Sequence, residues 1–168
     1  LIVNNQITGN CGSGIGGCYY AGGISSTVEV INNTIYGNYA DTIVPPGASS
    51  VGGLFLDDGG DITVTNTIIH SNFGSLPFTD LVGSADFVPG GGLLSLSYSH
   101  VGTIAPGLPP GMFMAPGVVD PMFVGPTFAT MAGPTDAGDY TLMTGSPNID
   151  TGLSSAFPVA LPSVDLAG

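Results

Sequence analysis

Asp57, Asp58 and Asp61 form the densest acidic cluster of the chain, on a glycine-rich stretch. Such carboxylates could bind calcium, which prefers oxygen ligands, although the spacing does not match an EF-hand loop. They could also supply the acid and the base of a glycoside hydrolase. Asp and Gly are equally ordinary residues of solvated turns, and this interpretation is the one we favour. We therefore expect no catalytic residues and no cofactor, with calcium as the metal to test.

Cys11 and Cys18 frame a glycine-rich loop and are the two cysteines of the sequence. Two thiols are too few ligands for a metal site, and the histidines lie far away in sequence. In an extracellular chain a disulfide between these residues is the preferred interpretation. Two free thiols packed in a loop are the alternative.

The charge composition excludes several classes of function. The 168 residues include no Lys and no Arg but 12 Asp or Glu, which gives a formal net charge of −12. Nucleic-acid binding requires cations that neutralise phosphate, so we expect no nucleic-acid partner. No apolar run approaches the roughly 20 residues of a membrane span, so we expect no membrane insertion.

Three segments align without gaps, which indicates an internal repeat. They are residues 2–10, 30–38 and 64–72, at offsets of 28 and 34 residues, and a degenerate fourth copy follows after 32 more. Each of the three has an aliphatic residue at its first position and Ile at its sixth. Two asparagine columns also run through them: Asn4, Asn32 and Asn66, then Asn10, Asn38 and Asn72.

This repeat predicts an all-β fold, a right-handed parallel β-helix (β-solenoid) of about four coils. Apolar residues that alternate with period two, such as Ile62 and Val64, would face inward. Asn would turn the chain at the corners, because it tolerates left-handed backbone. Equivalent positions of stacked coils lie about 4.8 Å apart, so both asparagine columns would form side-chain ladders. An antiparallel sandwich is the competing fold, but it would not require such column-by-column identity.

His70 and His100 lie 30 residues apart, close to one coil period. They could stack on adjacent coils and act as acid–base groups. The alternative is that both are ordinary residues of a turn or a strand face.

After about Tyr98 the repeat ends, and residues 105–116 are rich in proline. Several short motifs of the second half, taken with the third and fourth repeats, form a series: residues 66–72, 98–101, 120–124, 139–142 and 146–152. This series resembles the closing motifs of bacterial secreted right-handed parallel β-helix repeat proteins of the choice-of-anchor type. The resemblance covers nearly the whole chain and implies export to the cell surface or the medium. It implies no particular activity, and the absence of Lys and Arg departs from the family's usual composition.

We expect β-helix coils over residues 1–104, and over 105–168 an irregular, extended, Pro/Gly-rich C-terminal extension that packs on the solenoid or on a neighbouring subunit. Because core-like sequence begins at Leu1, upstream coils or a second copy must cover the first coil. Contacts between copies of this kind propagate into filaments. The sequence therefore predicts an extracellular structural or adhesive solenoid that forms homo-oligomers or filaments through its ends. The alternative is a carbohydrate-binding or polysaccharide-processing β-helix that uses the turn from Asp57 to Asp61.

Overall fold

A computed structural model describes residues 1–13, 20–21, 27–41, 52–56, 61–73, 81–83, 94–102, 120–130, 132–149 and 151–152. The regular elements of these residues are β-strands. In the same residues no helix is long and apolar enough to cross a membrane.

The strands between residues 2 and 101 stack into four parallel sheets. The first sheet contains β1 (Ile2–Val3), β5 (Thr27–Ile31), β9 (Asp61–Thr65) and β12 (Leu94–Ser97). The second sheet contains β2 (Gln6–Thr8), β6 (Thr34–Tyr36), β10 (Ile68–His70) and β13 (His100–Val101). The third pairs β3 (Cys11–Ser13) with β7 (Tyr39–Asp41), and the fourth contains β4 (Tyr20–Ala21), β8 (Leu54–Leu56) and β11 (Leu81–Gly83).

The register of these sheets reproduces the offsets of the sequence repeat. In the first sheet Ile2 pairs with Val30, Val30 with Val64, and Val64 with Leu96. In the second sheet the sixth-position isoleucines pair in the same way, and the last of them pairs with Val101. Each strand therefore lies on the strand one coil away. The predicted all-β parallel β-helix of about four coils is confirmed.

The interior of the helix is built from these paired aliphatic columns. Val30, Val64, Ile35 and Ile69 have no exposed surface, and the same is true of Leu54 in the fourth sheet. Burying a side chain of this size contributes about 1.5–3 kcal/mol each. The core is thus a set of stacked like residues rather than a mixture of contacts between distant strands.

Each coil turns between the first and second sheets at a residue with left-handed backbone. These residues have φ angles between 49° and 56° and are Asn4, Asn32, Asn66 and Tyr98. The Nδ2 group of Asn32 donates a hydrogen bond to Oδ1 of Asn4 at 2.6 Å, which ties the first two coils at this corner.

The corner after the second sheet carries the second asparagine column. Here the left-handed residue precedes the asparagine and is Gly9, Gly37 or Ser71. Nδ2 of Asn10 donates to Oδ1 of Asn38 at 2.9 Å, and Nδ2 of Asn38 donates to Oδ1 of Asn72 at 2.8 Å.

Backbone contacts complete this ladder. The backbone N–H groups of Asn10 and Asn38 donate to the same two side-chain oxygens. Nδ2 of Asn38 also donates to the Ile7 carbonyl at 2.8 Å. Because Asn38 and Asn72 have no exposed surface, the ladder satisfies buried polar groups.

A further ladder occupies a column that sequence identity did not reveal. Its members follow the first corner and are Asn5, Asn33, Thr67 and Ser99. Each side chain donates to the carbonyl two residues earlier, at 2.9 to 3.0 Å. Each later side-chain oxygen also accepts the backbone N–H of the residue one coil before, at 2.9 to 3.3 Å. These four residues share a hydrogen-bonding group at one position rather than a residue type.

We predict that Asn38→Ala lowers the free energy of unfolding by about 3 kcal/mol, since it removes several bonds of a buried amide and leaves its partners unsatisfied. The matched control is Asn10→Ala, which truncates an exposed member of the same ladder and should cost about 1 kcal/mol or less. Urea unfolding followed by circular dichroism measures both. Equal losses for the two variants would contradict this account of the ladder.

Candidate functional site

The residues singled out for chemistry fall partly outside the described structure. Asp57, Asp58 and Cys18 lie outside the described residues, and Asp61 begins strand β9. Cys11 is half-buried at the start of β3. Among the described residues, no three His, Cys, Asp or Glu side chains form a group that could hold a metal ion. The calcium site and the disulfide therefore stay predictions.

The C-terminal segment, residues 120–152, packs across the outer side of the second sheet. It contains an antiparallel pair, β14 (Phe123–Gly125) and β15 (Asp139–Leu142), within the stretch expected to be irregular. The connection between these strands crosses two corners of the solenoid. There the Ala129 N–H donates to the Gly37 carbonyl and the Thr135 N–H to the Gly9 carbonyl, each at 2.8 Å.

The two corner glycines allow this close approach. A Cβ added at Gly37 would collide with the Thr127 carbonyl oxygen, and one added at Gly9 would collide with the carbonyl oxygen of Thr135. Both glycines also have positive φ angles, 66° and 64°. We define the docking face as Gly9, Tyr36, Gly37, His70 and His100.

Tyr36 is the centre of the contact between the solenoid and the segment. It points away from the solenoid interior, yet only 4% of its surface is exposed. Its ring lies 5.1 Å from Phe123, 5.4 Å from Phe128 and 5.7 Å from Tyr140, centroid to centroid. Aromatic pairs at these separations add about 0.5–1.5 kcal/mol each to the area that they bury. The sequence reasoning missed Tyr36, because its partners lie far along the chain.

The motifs that carry the family resemblance hold the C-terminal segment in shape. Oδ1 of Asp120 accepts the Met122 N–H at 2.8 Å, and the Ser146 hydroxyl donates to the Pro121 carbonyl at 2.7 Å. The Thr141 N–H donates to Oδ1 of Asp139 at 3.0 Å, and this bond holds the pKa of the carboxyl below its usual value. The Tyr140 hydroxyl donates to the Thr127 carbonyl at 3.1 Å. These polar residues therefore stabilise the fold of the segment through hydrogen bonds within it.

His70 and His100 come together on the docking face. Their ring centroids are 5.4 Å apart, and the His70 ring stacks on Tyr36 with a centroid separation of 6.0 Å. Nδ1 of His70 shares a hydrogen bond with the Ser71 hydroxyl at 2.7 Å. Burial lowers the pKa of His70, and the neighbouring His100 lowers it further, while Asp120 acts in the opposite direction. The pair can take up protons, and the C-terminal segment lies beside it.

Comparison with known proteins gives a family match over the solenoid. A family model described as a right-handed beta helix region matches residues 1–100. The chain belongs to this right-handed β-helix family. The match ends at His100, the first residue of β13, so the docked segment lies beyond it. No curated protein and no solved structure matches this β-helix significantly.

We predict that Gly37→Ala weakens docking of the C-terminal segment by about 2 kcal/mol or more, because it combines backbone strain with a steric collision. Gly145→Ala is the matched control, since Gly145 also has a positive φ of 93° but a Cβ there would meet nothing within 4 Å. Hydrogen exchange of the Ala129 and Thr135 amides by NMR reports docking directly. Unchanged protection in Gly37→Ala would contradict the proposed fit.

Proposed function

We propose that this chain is an extracellular structural or adhesive β-helix that assembles head to tail, the fourth coil of one copy stacking on the first coil of the next. The observation that carries the proposal is the complementarity of the two outermost described coils. β1 and β12 are the outermost strands of the first sheet, and β2 and β13 those of the second, among the strands described.

The first coil presents apolar groups that are buried at equivalent positions further in. Ile2 and Ile7 are partly exposed, whereas Val30 and Ile35, one coil later, are fully buried. A coil stacked on this end would bury them in the same columns. Such burial contributes roughly 25 cal/mol per Å² of apolar surface.

The hydrogen-bond donors and acceptors of the two outermost coils are also complementary. Between coils inside the molecule, Asn5 donates its N–H to Oδ1 of Asn33, and the N–H of Thr34 donates to the Asn5 carbonyl at 2.9 Å. Ser99 occupies the position of Asn5 in the fourth coil, and Gln6 that of Thr34 in the first. In a stacked pair the Ser99 N–H would donate to Oδ1 of Asn5 in the next copy. The Gln6 N–H would donate to the Ser99 carbonyl.

The charge distribution permits this contact despite the net charge of −12. None of the 12 carboxylate residues falls within residues 1–13 or 94–102, which carry β1 and β2 of the first coil and β12 and β13 of the fourth. Repulsion between the acidic copies is screened by salt, with a Debye length of about 8 Å at physiological ionic strength. The extracellular location is supported by the family resemblance, and the absence of Lys and Arg removes every trypsin site.

We predict that the purified chain at micromolar concentration forms filaments with an axial repeat of about 19 Å, four coils at about 4.8 Å each. Higher salt should promote assembly. Electron microscopy and sedimentation velocity measure both effects. Gln6→Pro should abolish assembly, because proline removes the N–H that the joint requires.

Gln6→Ala is the matched control, since it changes the same exposed side chain but keeps the amide hydrogen. Circular dichroism establishes that both variants fold. Wild-type monomers at every salt concentration, or filaments that persist in Gln6→Pro, would overturn head-to-tail stacking. In that case screening against neutral polysaccharides, with Asp58→Asn and Asp61→Asn as variants, tests the carbohydrate alternative.

A further inference from the structure

The histidine pair sits where the solenoid meets the C-terminal segment. His70 stacks on Tyr36, and Tyr36 in turn contacts Phe123, Phe128 and Tyr140 of the segment. Tyr36 therefore connects His70 to the aromatic contacts that hold the segment in place, and a change in the charge of His70 acts directly on Tyr36.

The groups that face His70 come from three elements and the corner beside it. Strand β13 contributes His100, β6 contributes Tyr36, and the C-terminal segment contributes the Asp120 carboxylate. The corner residue Ser71 shares a hydrogen bond with Nδ1 of His70. A hydroxyl can accept from or donate to the ring, so Ser71 does not decide between the protonation states.

We propose that protonation of His70 and His100 releases the C-terminal segment from the docking face, so that acidification exposes the outer side of the second sheet. The released state is a conformation of the single chain. The proposal therefore stands or falls independently of head-to-tail assembly.

The direction of the effect follows from the environment of the pair. In the docked state His70 is partly buried and lies beside His100 of the next coil, and both factors lower its pKa below 6.5. The Asp120 carboxylate of the segment opposes them, but burial is the largest of the three influences and Asp120 the smallest. Release of the segment gives the ring more contact with water, and this gain outweighs the loss of Asp120, so the pKa of His70 rises toward its ordinary value although His100 stays beside it. The released form consequently binds more protons, and docking weakens as the pH falls below about 6.5.

The composition of the chain isolates this titration. The two histidines are the side chains of the sequence whose ordinary pKa lies between pH 5 and 8. Asp and Glu titrate mainly near pH 4, and Tyr near pH 10. A conformational change between pH 7.5 and 5.5 is thus assignable to the imidazoles rather than to carboxylates.

The test is hydrogen exchange by NMR at pH 7.5 and 5.5, corrected for the intrinsic pH dependence of exchange. The reporters are the Ala129 and Thr135 amides, which bridge the segment and the solenoid. We expect several-fold loss of their protection at pH 5.5. The Ile68 amide, which donates to the Asn33 carbonyl between two coils, should keep its protection.

Two variants make the test specific. The double variant His70→Gln/His100→Gln should show no loss of protection between the two pH values. Asp120→Asn keeps an oxygen that accepts the Met122 N–H but removes the opposing charge, so the midpoint of release should move to higher pH. Equal protection of wild type at both pH values would overturn the proposal. So would an unchanged pH response in the double variant, or a midpoint that moves lower in Asp120→Asn.

Discussion

The whole solenoid depends on the stacking of each coil in fixed register on the next. The corners set this register, because a left-handed residue is followed at once by a polar side chain that bonds to the neighbouring coil. A slip of one residue would exchange the inward and outward faces of every strand. It would also separate Oδ1 of Asn38 from the N–H of Asn10. The ladders therefore hold Val30 against Val64, and Ile35 against Ile69, in the core.

The solenoid could be predicted from the sequence because stacking brings equivalent residues of successive repeats together. The offsets between repeats equal the offsets between paired residues in the sheets. Val30 and Val64, which align in one column of the repeat, therefore also pair in the first sheet. The ladder through Asn33 and Thr67 could not be predicted from residue identity, for a physical reason. That column selects a side chain that can both accept and donate a hydrogen bond, and different residue types satisfy this requirement.

The docking face could not be predicted in the same way. Tyr36 meets Phe123 and Tyr140 through contacts that no periodicity connects. The motif residues around Asp120 and Ser146 were recognisable as a series, yet their hydrogen bonds lie within the segment itself. The motifs therefore predicted neither the antiparallel pair of β14 and β15, in a stretch expected to be irregular, nor the face of the solenoid on which the segment packs. The need for glycine at position 37 becomes clear only once the connection that crosses it at Thr127 is known.

The charge composition gives these two kinds of contact different sensitivities. Without Lys or Arg, the coils cohere through apolar columns and neutral amide ladders, neither of which changes protonation in the physiological range. The docked segment rests on equally neutral aromatic contacts, but it lies beside both imidazoles of the chain. Positive side-chain charge can therefore arise only at His70 and His100, which lie together on the docking face beside the C-terminal segment. A solenoid indifferent to pH can in this way carry a pH-dependent surface without any change in its coils.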